Sequence, residues 1–322
     1  MKVTVVVPVY NASSYISRCI DSILSNNYKS YKLLLINDGS TDNTLDILKD
    51  YEKRYKNIQV IDQKNRGVSN TRNIAINLAK TKYIMFIDND DYIKSDYIST
   101  YVKAIDNSDY DMVIGGYQRI DDNGKILDNR KIIDSSWGKF VVVSPWAKIY
   151  NRDFLVKNDI KFLDYGIGED VYFYLQIMSK TDRVKVIDYQ GYYWYYNNSS
   201  ISNTSHVGLN DDLDILYLVK ECRKKTSSNK LVSENILNYF YVRLILYYLL
   251  YSGRNACSKE FVMEYKRLKD YINKNICDFR KLILFHTPKN EVIKFKFILK
   301  VFVLLDIFNL IPLFAKIYCK GK

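Results

Sequence analysis

The first ninety or so residues alternate between short β-branched runs and stretches of about a dozen residues with helical spacing, which restricts the chain to a layered α/β fold. Val3–Pro8, Lys32–Ile36, Ile58–Ile61 and Tyr83–Ile87 read as buried strands. Ser13–Ser25, Thr44–Tyr55 and Gly67–Ala79 read as the helices between them. Strands joined through helices run parallel, because a hairpin cannot connect them. The pattern then loosens. Met112–Gly116 and Val184–Tyr189 are strand candidates, Phe154–Leu163 and Asp170–Ser179 look helical, and Asp121–Ser136 is a polar, turn-rich hairpin or loop. From Leu209 onward the text is helical. The expected organisation is an α/β domain over residues 1–205 and a helical region over 206–322.

Charge divides at the same place. Residues 1–205 hold 27 Lys and Arg against 25 Asp and Glu, while residues 206–322 hold 21 against 11. Any basic partner surface is therefore C-terminal, and nucleic acid or an anionic membrane is its candidate partner. Cys19, Cys222, Cys257, Cys277 and Cys319 are odd in number and widely spaced, with no CxxC pair. A zinc site and a disulfide framework are not expected, and a reducing cytoplasm is. The opening MKVTVVVPVYN has no long apolar region and no cleavage site, so no secretory signal is expected there.

Ligands of an open parallel sheet bind at the carboxyl ends of its strands. The polar residues at those ends are Tyr10-Asn11, Asp38-Gly39-Ser40 and Asp88-Asn89-Asp90-Asp91. No GxGxxG follows the first strand and no GxxxxGK[ST] occurs, which removes the usual dinucleotide and P-loop readings. Three carboxylates within four residues at Asp88–Asp91 repel one another unless a cation sits among them. An acidic turn capping a helix is the commoner explanation of such a cluster. Its position after an apolar strand, matching Asp38 after an earlier one, points instead to a hard divalent ion. Mg²⁺ takes one or two carboxylates and completes its shell with substrate phosphates. A nucleotidyltransferase would use similar acids, but would want a Gly-rich basic loop where Tyr10–Tyr15 has neither glycine nor cation.

The segments VVVPVYN, INDGSTDNT, NRGVSNTRN and YIMFIDNDD, followed by PWAKIYNRDFL and GIGEDVYF, resemble in order and spacing the family 2 glycosyltransferases with the GT-A fold. The likeness covers roughly residues 2–205 and is of the bacterial capsule and surface-polysaccharide type. It implies a nucleotide-diphosphate sugar donor, UDP-linked by default, and Mn²⁺ or Mg²⁺ as cofactor. By this resemblance Pro8, Tyr10 and Asp38 line the nucleobase pocket and Arg72 reaches the nucleotide. Asp88-Asn89-Asp90 matches the DxD motif, with Asp88 and Asn89 on the nucleotide-sugar and Asp90 on the metal. Asp170 matches the base that deprotonates the acceptor hydroxyl, with Glu169 beside it, in a single displacement with inversion. Two acids at a helix start also complement its dipole without any catalytic role. Trp146 and Lys148 match a W-x-K element on the acceptor side. A core tryptophan and an exposed lysine are the ordinary alternatives. Tyr192–Ser202 departs from the pattern: Tyr195 and Asn197 stand where basic residues are expected, and His206 or Ser200 is the candidate replacement on the diphosphate.

The C-terminal region is both apolar and basic. Residues 234–251 are apolar on almost every side, as in a bundle, a dimer or a helix against lipid. Val301–Ala315 is too short to span a ~30 Å bilayer core and is interrupted by Asp306, Asn309 and Pro312. Residues 281–322 carry eight lysines against two acids, Glu291 and Asp306, although the lysines do not gather on one helical face. An interfacial anchor on the inner face of the cytoplasmic membrane is expected, with a self-packed helical subdomain or a homo-oligomer contact as the alternative. A polysaccharide or lipid-linked acceptor suits that placement. Nucleic acid is not expected, because the basic stretch is fused to long aliphatic runs.

Overall fold

A computed structural model describes residues 1–196, 208–209 and 213–321. By its internal contacts the chain forms two compact units, Met1–Asp134 with Val142–Asn197, and Ser135–Val141 with Asn198–Lys322.

In the first unit β1 (Val3–Val9) is wholly buried, flanked in parallel by β2 (Tyr31–Asp38) and β4 (Tyr83–Phe86); β3 (Ile58–Gln63) pairs beyond β2. The intervening helices are α1 (Ile16–Leu24), α2 (Thr44–Arg54) and α3 (Gly67–Leu78). α1 buries Ile16, Cys19, Ile20 and Ile23, the stripe its helical spacing requires. The other strands are β5 (Tyr92–Ile93), β6 (Met112–Ile114), β7 (Tyr117–Ile120), β8 (Ile126–Arg130), β9 (Lys148–Asn151), β10 (Val184–Val186) and β11 (Tyr192–Tyr195). The main sheet runs β10-β6-β9-β4-β1-β2-β3, parallel except for β9, which lies antiparallel between β4 and β6. A second sheet runs β5-β11-β7-β8.

The expected α/β architecture is present, with differences at particular elements. The turn-rich stretch is a hairpin: Asp121 Oδ1 accepts from Asn123 and Lys125 N–H and closes the turn between β7 and β8. Phe154–Leu163 is not one helix. α5 (Arg152–Lys157) ends there, because Asp159 adopts a left-handed φ of 50°. Helix α4 (Tyr97–Ile105) and strands β5, β9 and β11 were not anticipated. α6 (Glu169–Lys180) starts beside Gly168, whose φ of 68° suits glycine.

The second unit is helical: α7 (Ile215–Thr226), α8 (Glu234–Ser252), α9 (Ser258–Asn275), α10 (Phe279–Phe285), α11 (Ile293–Ile307) and α12 (Ile311–Tyr318). The nearly all-apolar α8 is its core, burying Tyr239, Phe240, Val242, Ile245 and Leu249 among others. Trp137, from the 135–141 segment, stands edge-on to Tyr239 at 4.9 Å. All five cysteines are free. Among the described residues no helix is long and apolar enough to cross a membrane.

Candidate active site

The carboxyl ends of β1, β2 and β4 lie on one edge of the main sheet and are tied together by side chains. Asn11 adopts φ 45°, and its side-chain Oδ1 accepts from Thr41 N–H at 2.8 Å while its own backbone N–H donates to Ser40 Oγ at 3.0 Å. That clasp joins the β1 and β2 loops. Asn89 Nδ2 donates to the buried Pro8 carbonyl at 3.2 Å and joins β1 to β4. Tyr10, one residue beyond β1, is 45% exposed and open to a ligand. Asp38, last in β2, is buried, and its Oδ1 accepts from Gln63 Nε2 at 2.8 Å and Arg66 N–H at 2.9 Å. It thereby shapes the loop after β3. Gly39 beside it is obligatory: a Cβ would meet Asn65 N at 2.7 Å.

The acidic cluster resolves into three different environments. Asp88 Oδ1 accepts from Arg72 Nη2 at 2.8 Å. Asp91 is 1% exposed; its carboxylate accepts from the Tyr192 hydroxyl and, at 2.8 Å, from Tyr195 N–H. It is a pin between the acidic loop and β11. Tyr192 oxygen in turn accepts from Asp88 N–H at 3.2 Å. Asp90 alone of the three has no ion pair or side-chain hydrogen bond among the described residues. Burial, and then the charge of Asp88, push its carboxyl up to about 6. A cation beside Asp90 would reverse that shift.

Arg72 connects the two halves of the site. It extends from α3, nearly buried, and its Nη1 donates to Glu169 Oε1 at 3.0 Å while Nη2 holds Asp88. One guanidinium thus bridges the end of β4 and the start of α6. Burial opposes its charge, but Asp88 and Glu169 more than offset this, so its pKa is raised. Next to Glu169, Asp170 Oδ1 accepts from Val171 N–H at 2.7 Å. Asp170 is half-buried yet enclosed by protein. That burial, with the charge of Glu169, raises its carboxyl to about 7, against smaller opposing effects of the Val171 N–H, Arg72 and Lys148.

Lys148 is not an exposed lysine. It is 0% exposed on β9; its Nζ donates to the Ser144 carbonyl at 2.7 Å, and burial lowers its pKa to about 7 although Asp170 acts to raise it. Trp146 is also interior, 8% exposed and stacked on Tyr192 at 4.6 Å, with Tyr117 against its edge. It reaches the acidic loop through Tyr192. Of the departing segment, Tyr195 is buried, whereas Asn197, Ser200 and His206 lie outside the described residues. The Tyr195 ring carries a cation that sequence reasoning missed. Arg18 of α1 lies 4.0 Å from its centre and 5.0 Å from that of Tyr92, and donates to the Asp90 carbonyl at 2.8 Å. A lone arginine on the polar side of a helix carries no signal in the sequence. Asp91, by contrast, was visible but indistinguishable from its neighbours.

Among the described residues no group of three or more His, Cys, Asp or Glu side chains is placed to hold a metal by itself. Asp90, without an ion pair among the described residues, fits an ion that takes one protein carboxylate and completes its shell with phosphate oxygens.

Residues 4–167 match the family described as Glycosyl transferase family 2. The chain is 29% identical over 220 residues to the glycosyltransferase GlyA of Streptococcus pneumoniae, covering 62% of this chain and 31% of that one. It is 32% identical over 203 residues to the poly(ribitol-phosphate) beta-glucosyltransferase of Bacillus spizizenii, covering 60% and 32%. It thus spans about a third of the length of each relative. Residues 1–349 of S. aureus TarS, solved in complex with UDP-GlcNAc, superpose with a TM-score of 0.68 at 20% identity, over 94% of this chain and 89% of that one. The mannosyltransferase PcManGT of Pyrobaculum calidifontis, solved with GDP-Man and Mn²⁺, superposes with a TM-score of 0.56 at 12% identity, over 99% and 88%. At these identities the likeness is one of fold. Family match and fold agree, and the chain belongs to glycosyl transferase family 2, with the GT-A fold and a helical C-terminal region.

Proposed function

We propose that the protein is an inverting, metal-dependent glycosyltransferase. It moves a hexose or N-acetylhexosamine from a UDP-sugar to a hydroxyl of a growing, lipid-linked bacterial surface polysaccharide. The observation that carries this reading is the Arg72 bridge. It holds Asp88 and Glu169 on one guanidinium and leaves their neighbours Asp90 and Asp170 without an ion pair among the described residues. Pro8, Tyr10 and Asp38 form the nucleobase side, and Asp88 and Asn89 face the donor's ribose or sugar. Held by Asp90 and the diphosphate, Mn²⁺ or Mg²⁺ would supply charge stabilisation to the departing nucleotide. Arg18, held against Tyr195 and Tyr92, supplies the cation that the departing segment lacks.

The acceptor oxygen attacks the anomeric carbon as the bond to the diphosphate breaks, and its proton passes to Asp170. A carboxylate with its pKa near 7 is a stronger base than an ordinary one and is still largely ionised just above neutrality. Lys148 and Trp146 stand behind the acceptor side, Lys148 through its effect on Asp170 and Trp146 through Tyr192. The polymer acceptor of the Bacillus spizizenii relative and the UDP-GlcNAc bound to TarS support the choice of acceptor and donor class. A lipid-linked acceptor places the enzyme peripherally on the inner face of the cytoplasmic membrane. The test is donor hydrolysis across a panel of UDP- and GDP-sugars with Mn²⁺ or Mg²⁺, followed by the anomeric configuration of the transferred product. A retained configuration, or no hydrolysis of any nucleotide sugar, overturns the reading.

A further inference from the structure

Helix α11 leaves an apolar stripe facing solvent, and α12 has exposed apolar residues of its own. On α11 and the residue after it, Ile293, Phe297, Val301, Leu304 and Phe308 are all exposed, Ile293 and Phe297 at 84% and 69%. Their spacing of four, four, three and four residues places them on one helical face. α12 repeats the arrangement with Leu313 and Ile317, the latter 80% exposed. The opposite side of α11 is accounted for, since Leu299, Phe302 and Val303 are buried. The stripe is therefore a second apolar face on a helix whose first face already packs. The end of α12 is tied down: Lys320 N–H donates to the Arg254 carbonyl at 2.7 Å and Gly321 N–H to that of Ala256 at 3.1 Å, and the Tyr318 hydroxyl donates to the Leu250 carbonyl.

The charges beside the stripe are of one sign. At 3.6 residues per turn, Lys294 and Lys300 lie roughly 60° to either side of its axis. The two acids of the region are turned inward. Glu291 is buried against Arg243 at 3.1 Å, and Asp306 is buried between Arg280 at 2.6 Å and Lys269 at 2.8 Å. The lysines do not gather on one side, as their sequence spacing already indicated. They border an apolar strip instead, the arrangement in which long cationic side chains snorkel to headgroups.

We propose that this stripe is a docking surface for an anionic phospholipid leaflet, with α11 lying in the plane of the interface. Protein interfaces are depleted in lysine, and a second copy of the chain would bring like charges together. An anionic bilayer offers apolar depth to the stripe and negative headgroups to its borders. The inference deepens the membrane placement proposed above, and its test needs no turnover, so it can fail while the transferase reading stands.

The full chain should cosediment with vesicles containing roughly one-third phosphatidylglycerol and bind much less to pure phosphatidylcholine. The triple variant Ile293→Ser, Phe297→Ser, Phe308→Ser changes only exposed side chains and should weaken vesicle binding about ten-fold or more. Lys294→Gln with Lys300→Gln should abolish the preference for anionic vesicles while retaining residual binding. Nucleotide-sugar hydrolysis by both variants should match the parent, and an unchanged far-UV circular dichroism spectrum and Tm certify that the helical unit is folded. No binding of the parent at low salt, or binding unchanged in the triple variant, overturns the proposal. So does a concentration-dependent dimer that the triple variant dissolves, which would assign the face to a second copy of the chain.

Discussion

The two units differ in what they leave uncovered: two acids in the first, and an apolar stripe in the second beside acids that are paired. In the second unit Asp306 and Glu291 are buried and paired with cations, while a row of apolar side chains on α11 faces solvent. In the first unit two enclosed acids, Asp90 and Asp170, have no ion pair among the described residues; each is raised toward neutrality and each stands near an acid that Arg72 already holds. Burying a charge without a partner disfavours the charged form, so such a group is a candidate for completion by a ligand. Under the readings proposed above, the complement of the acids is a metal and a reacting hydroxyl, and that of the stripe is a lipid surface. The comparison makes predictions that differ in size.

The largest effect is expected at Asp90. Asp90→Ala, or EDTA with the parent chain, should lower transfer by more than about 10³-fold, because the stabilisation of the leaving diphosphate disappears. Turnover at the parental rate in either case would show that Asp90 is no more functional than the paired Asp306.

Asp170→Asn comes next. It keeps the shape and removes the proton affinity, so kcat should fall by roughly 10²–10⁴ with donor KM little changed. In the parent, kcat should rise with pH through about 7 as Asp170 ionises. The same shift has a stability consequence. A carboxyl whose pKa is raised by folding favours the folded state at low pH, and that contribution is lost as pH rises through about 7. Asp170→Asn should therefore raise the Tm at pH 8 relative to the parent. A variant that loses activity and stability together would make Asp170 structural. Arg18→Ala should have a smaller effect, about a ten-fold rise in donor KM, partly restored by Arg18→Lys. An unchanged KM would confine Arg18 to supporting the acidic loop.

The comparison also separates what was legible in the sequence from what was not. β1, β2 and β4 were legible because each is a buried apolar run ended by a polar turn, a purely local pattern. β9 was not: its place between β4 and β6 rests on antiparallel pairing with strands far away in the chain, and its residues were already claimed as a motif. Among the acids the residues were legible but their division of labour was not. Asp88, Asp90 and Asp91 look alike in sequence. They differ because Arg72 comes from 16 residues before Asp88 and Tyr192 from 101 residues after Asp91. Likewise Asp306 reads as a break in an apolar run, because its partners Lys269 and Arg280 belong to other helices.

That residue supplies the smallest expected effect on catalysis and the sharpest control. Burial disfavours ionisation of Asp306, but hydrogen bonds from Arg280, Lys269 and Tyr265 outweigh it and hold its carboxyl below the usual range. A lowered pKa in the folded state is stability present above the unfolded value of ~3.9 and lost as pH falls through the folded one. Removing one partner of a fully buried pair costs about 3–5 kcal/mol, because a charge is stranded. Here both cations retain contact with water, Arg280 at 40% and Lys269 at 26% side-chain exposure, so less is stranded. Asp306→Asn should cost the second unit about 1–3 kcal/mol in denaturant unfolding, with the deficit shrinking as pH falls toward 3. Donor hydrolysis, which the proposed function assigns to the first unit, should be unchanged under conditions where the variant is folded. If Asp306→Asn instead depresses hydrolysis as strongly as a change at Asp90, the paired and unpaired acids are not separate in function and the contrast between the units fails.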